Sequence, residues 1–91
     1  MKTINGYSLE QNYPNPFNPS TTIAFTLTER SFVTLKVYDS LGREVSEIIS
    51  GELSAGRYSR RWNAEGAPSG TYFYRLEAGS YSETKKLLLL K

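Results

Sequence analysis

Between Thr21 and Lys91 the apolar residues recur every second position, and no stretch carries a helical period. Ile23, Phe25 and Leu27 alternate with small or polar neighbours. Val33, Leu35 and Val37 then oppose Thr34, Lys36 and Tyr38, and Thr71–Glu77 (TYFYRLE) is rich in strand-forming residues. A period of two puts one face of each segment in a core and the other in water, so each must pair with neighbours and pack against a second layer. Turn residues punctuate the segments: Asp39-Ser40-Leu41-Gly42, Ser50–Gly56, Gly66–Gly70 and Ala78-Gly79-Ser80. At Gly42 the turn calls for a positive φ. Glu44–Ile49 is a weaker strand whose Val45 and Ile48 break strict alternation, the mark of a bulge or a short helical turn. Six or seven short strands at regular spacing predict an all-β fold, an immunoglobulin-like antiparallel β-sandwich of about seven strands.

Upstream lies Asn12-Tyr13-Pro14-Asn15-Pro16-Phe17-Asn18-Pro19, which holds three of the four prolines. Each proline fixes its own φ and biases its predecessor away from helix, so a stiff, extended connector with Asx-type turns is expected. Residues 1–7 show no period and read as a linker or added segment, with one domain over residues 8–91. At 91 residues a second core is not expected.

Composition removes most catalytic chemistry. The chain has no cysteine and no histidine, hence no thiolate or imidazole for a metal, no cysteine nucleophile and no serine–histidine–carboxylate triad. Glu44 and Glu47 are the closest acidic pair, but three residues apart on a regular strand they face opposite sides and cannot share a substrate. A single Asp, Asp39, is too little for a calcium loop. The reading is therefore a non-enzyme with no cofactor and no metal. A formal charge of +2 is far below the basic stripe of a nucleic-acid binder. No apolar run nears the length of a membrane span, the longest being Leu87–Leu90, and Met1-Lys2-Thr3 is not followed by a signal-peptide core.

Three features are left as candidate sites. Trp62, Tyr58, Tyr72 and Tyr74 could line a sugar-binding face, against the simpler reading that Trp62 anchors the core. Arg57, Arg60, Arg61, Arg75, Lys85 and Lys86 could meet an anionic partner, or serve as edge protection and solubilising charge. The third is Lys85-Lys86-Leu87-Leu88-Leu89-Leu90-Lys91, a strand end apolar on both faces. It suits a strand buried on both sides, or one read by a receptor through β-augmentation, with the lysines as gatekeepers against aggregation.

Leu9–Ile23 (LEQNYPNPFNPSTTI), Val37–Val45 (VYDSLGREV), Pro68–Leu76 (PSGTYFYRL) and the KKLLLLK segment together resemble the type A C-terminal sorting domain of the type IX secretion system. The resemblance runs in order from about Ser8 to Lys91. It implies a signal that directs an attached upstream cargo through the periplasm and across the outer membrane, to be released or held at the cell surface. The implied partners are the secretion machinery with its sortase-like surface protease, and the cargo domain itself. By residue it implies Lys85, Lys86, Leu87, Leu88, Leu89, Leu90 and Lys91 as the recognition tail, and Asn15, Pro16, Asn18 and Pro19 as a connector signature. Gly42, Gly56, Trp62, Gly70 and Tyr72 become scaffold positions. Asn63 stands where such domains commonly carry Asp, a change an Asx turn tolerates. The physical expectation is a proline connector that holds cargo off the sandwich, and an exposed last strand read through backbone pairing and leucine pockets. The competing readings are a carbohydrate-binding or adhesive module, with its aromatic rings exposed in a row, and a structural spacer resembling the immunoglobulin-like region of flagellar hook-capping proteins.

Overall fold

The computed structural model describes residues 6–91. Seven strands form: β1 (Ser8–Leu9), β2 (Ser20–Leu27), β3 (Ser31–Asp39), β4 (Glu44–Leu53), β5 (Gly56–Asn63), β6 (Gly70–Ala78) and β7 (Tyr81–Leu89). They make two antiparallel sheets, one ordered β1-β2-β5 and the other β4-β3-β6-β7. This is the expected immunoglobulin-like β-sandwich. The alternation read from the sequence is the burial pattern: Ile23, Phe25 and Leu27 face Val33, Leu35 and Val37, and Tyr72, Tyr74, Leu76, Leu87 and Leu89 complete the core. Tyr72 also forms the tyrosine corner of such sandwiches. It stands near the start of β6 and donates its hydroxyl to Pro68 O at 2.6 Å, pinning the β5–β6 connection to the strand that follows.

Local chemistry sets the turns. Asp39 Oδ1 accepts the N–H groups of Leu41 and Arg43, both at 2.9 Å, and Arg43 Nε donates to Asp39 Oδ2. Gly42 sits at φ 86°, the positive value its position called for. Gly56 and Gly70 open β5 and β6.

Three expectations need correction. Ser50–Leu53, read as part of a loop, continues β4, because the central strand β3 offers a ladder on that side and pairs Thr34 with Ser50 and Ser31 with Leu53. Tyr7, placed in the linker, is buried and stacks on Tyr81 at 5.3 Å, so the packed unit includes it; the rest of that segment, residues 1–5, lies outside the described residues. Glu44 and Glu47 do not face opposite sides. Register shifts leave Val45 and Ile48 without partners on β3, so the broken alternation marks bulges and not the helical turn that was the alternative, and the skipped residue returns both carboxylates to one face. Lys36 Nζ lies 3.4 Å from Glu44 and 3.9 Å from Glu47, so the pair clamps a cation instead of bracketing a substrate.

Candidate functional site

The connector and the last strand, two separate features of the sequence, meet in space. After β1 the chain crosses from the first sheet toward the open edge of β7, through turns in which Tyr13-Pro14, Asn15-Pro16 and Asn18-Pro19 are cis peptides. Tyr13 exchanges backbone hydrogen bonds with Thr22 on the first sheet, and Phe17 forms a parallel bridge with Leu89 on the second. A buried polar knot holds the crossing. Asn12 Nδ2 donates to Thr21 Oγ1 (2.9 Å) and Pro14 O (3.1 Å), and Thr21 Oγ1 donates to Pro14 O (2.9 Å). Among the described residues no buried side-chain polar atom lacks a partner, so the knot carries no desolvation penalty from an unmade bond.

From there the connector covers the end of β7. Gln11 Nε2 donates to Lys86 O at 2.8 Å, and Leu88 N–H donates to Asn15 Oδ1 at 2.9 Å. Phe17 N–H donates to Leu88 O and Leu90 N–H donates to Phe17 O, each at 3.0 Å. In a strand, alternate residues turn both backbone groups to the same edge, so Lys86, Leu88 and Leu90 show the outer edge and the connector satisfies it. Among the described residues the outward backbone groups of Ser82 and Thr84 and the Lys86 N–H have no such partner. The Phe17 ring is buried beneath, 5.9 Å from Trp62, which in turn meets Tyr72 edge-on at 5.8 Å. Lys91 completes the closure: its N–H donates to Ser69 Oγ at 2.9 Å, and its Nζ donates to Glu65 O.

The candidate recognition residues therefore divide. Leu87 and Leu89 point inward and are fully buried. Leu88 is half-buried on the outer face beside exposed Lys86, while Leu90 is 52% exposed. Lys85 lies on the inward side and pairs with Glu83 at 3.3 Å. Receptor pockets can meet Leu88 and Leu90 but not the other two leucines. Asn15 and Pro16 lie at the crossing, whereas Asn18 and Pro19 lead into β2, with Pro19 O accepting Ala64 N–H at 2.8 Å. The connector does not stand off the sandwich; it is laced into it. Sequence reasoning missed Gln11, Asn12, Phe17 and Thr21 as the contacts that fasten the connector. A buried threonine at an inward position of β2 and an asparagine before a proline run were the available signals.

The other two candidates resolve on geometry. Trp62 is 7% exposed, and Tyr72 and Tyr74 are buried, so they form no exposed row of rings; Trp62 is a core anchor. Burial pushes the Tyr74 hydroxyl up to about 12, partly opposed by a hydrogen bond from the Asn12 backbone. The basic residues are split between sheets. Arg57, Arg60 and Arg61 lie on β5, and Arg75, Lys85 and Lys86 lie on β6 and β7. Arg57 pairs with Glu10, whose carboxyl the guanidinium hydrogen bond holds below its usual range. Arg75 pairs with Glu77 at 3.0 Å. Arg60 sits over the Tyr58 ring at 5.7 Å, an inward-pointing charge of the kind that blunts a free strand edge. Among the described residues no group of three acidic side chains could hold a metal ion.

A family model described as the secretion system C-terminal sorting domain matches residues 11–90, which take in the connector and all of β7. The chain belongs to that family. The sorting domain is the C-terminal signal of the type IX secretion system, and sorting is accordingly the function of this one; the family is not an enzymatic one. A solved structure of PorZ from Porphyromonas gingivalis, described as an essential bacterial surface component of the type IX secretion system, is similar in fold, with TM-score 0.62 at 22% identity. The match covers 96% of this sorting domain and 12% of the PorZ chain. No curated protein sequence matches it. Among the described residues no helix is long and apolar enough to cross a membrane.

Proposed function

We propose that this sorting domain is read as a folded unit, and that the last strand is presented to the secretion machinery by side chains on its outer face. The observation that supports this is the partition of the tail. Its backbone edge and two of its leucines are used inside the domain, and Lys86, Leu88 and Leu90 remain outside. Cargo attached upstream of Tyr7 would be carried across the outer membrane to the surface or the exterior. A sortase-like surface protease that separates cargo from domain would act on the chain between the two. The exposed aromatic row that a sugar-binding module requires is not formed, which favours sorting over the adhesive reading.

The test is export of a fluorescent reporter fused to residues 1–91 in a type IX-competent bacterium, beside the double variant Leu88→Ser/Leu90→Ser. Export of the parent and retention of the folded double variant are expected. Equal export of both would overturn the assignment of the tail. Equal retention, alongside export of a host sorting domain, would count against sorting by this chain in that host.

A further inference from the structure

The connector and β7 leave a cleft of about 300 Å³ between them, lined by Gln11, Asn15, Thr71, Lys86, Leu87 and Leu88. Gln11 and Asn15 bring the polar side chains, Leu88 the apolar wall, and Thr71, directly opposite Leu88 in the β6–β7 register, the floor. Lys86 stands exposed at the rim and makes no ion pair among the described residues, although Lys36, Lys85, Arg57 and Arg75 all have carboxylate partners.

We infer that this seam between connector and last strand is a docking site for the secretion machinery, and that it takes a partner loop carrying an aliphatic side chain next to a carboxylate. The aliphatic group fills the cleft against Leu88, and the carboxylate meets Lys86. This rests on the sorting reading and sharpens it: the signal is a surface made by two distant segments, not a linear tail. Two facts separate it from β-augmentation. On the outer edge of β7, Lys86 O, both backbone groups of Leu88 and the Leu90 N–H are already bonded to Gln11, Asn15 and Phe17. Freeing that edge means lifting Phe17, a buried ring, out of its contact with Trp62. A partner that docks on side chains avoids that cost, whereas one that pairs strands must bear it or settle for the short open stretch at Ser82 and Thr84.

Surface substitutions separate the alternatives in the same export assay, with folding of each variant checked by thermal unfolding. Lys86→Glu reverses the rim charge, Thr71→Arg fills the cleft, and Thr84→Pro removes an N–H from the open half of the edge, where proline is tolerated. Export lowered about tenfold or more by Lys86→Glu and by Thr71→Arg, but kept by Thr84→Pro, is the expected pattern; tenfold corresponds to about 1.4 kcal/mol of binding. Export lost in folded Thr84→Pro and kept in the other two would overturn the seam in favour of strand pairing. Parental export by all three variants would overturn the seam while leaving sorting intact. If the parent fusion itself stays inside while a host sorting domain is exported, the sorting reading fails and takes the seam with it. Should Thr84→Pro not fold, the other two variants decide the matter.

Discussion

Phe17→Ala is the perturbation that best tests whether the connector belongs to the fold. The ring is 2% exposed, packs on Trp62, and sits between two backbone hydrogen bonds that fasten Leu88 and Leu90. Truncating a buried phenylalanine costs about 3–5 kcal/mol in transfer and cavity energy. A domain of this length has a total stability of about 5–14 kcal/mol, so the variant loses a large share of it. For domains of 60–100 residues each kcal/mol moves Tm by about 4–8 °C, and a drop of at least ~12 °C is expected in thermal unfolding. Urea titration should show a lower midpoint with the slope unchanged. The loss should also be local. Leu88 and Leu90 amides, bonded to Asn15 and Phe17, should lose hydrogen-exchange protection well before Leu35 on the central strand β3. A stability loss below ~1 kcal/mol, or unchanged protection at Leu88 and Leu90, would refute the view that the connector clamps the last strand.

Tyr72→Phe removes the tyrosine-corner hydrogen bond and should cost about 1 kcal/mol by urea unfolding, less than any core truncation. Leu87→Ala and Leu89→Ala should each cost about 2–5 kcal/mol, since both leucines are fully buried, while Leu90→Ala should change stability little. Deletion of Leu87–Lys91 would therefore destabilise the domain by removing two core leucines, and equal stability of all three single variants would contradict the burial of Leu87 and Leu89. Hydrogen bonds from the Arg43 and Leu41 backbone, with the Arg43 side chain, hold the Asp39 carboxyl below its ordinary value of 3.8. A lowered folded-state value means that its contribution to stability is present above pH 3.8 and lost as pH falls through the folded value. An NMR titration of Asp39 should give a midpoint under 3.8, and Asp39→Asn should flatten that acid limb of the stability profile.

The sequence by itself determined the fold class, because a period of two with turn residues between the runs admits only paired strands, and it placed Ile23, Phe25, Leu35 and Val37 in the core on that ground alone. It flagged Val45 and Ile48 as breaks in the alternation of β4 but left a bulge and a short helical turn open, and pairing with β3 decided for bulges. It misplaced Ser50–Leu53 and the facing of Glu44 and Glu47, because strand extent and side depend on the partner β3 and on how many residues that partner skips. The motifs of the connector and the tail were legible as separate signatures. Their meeting was not: Asn15 and Leu88 lie 73 positions apart, and local composition carries no record of which distant edge a turn will reach. Tertiary structure alone decided that the leucine run is half core and half surface, and that the proline segment closes the edge it was expected to leave open. The physical reason is that backbone groups at a sheet edge bond either to water or to protein, and over Leu88 and its neighbours the chain supplies the partners from its own connector.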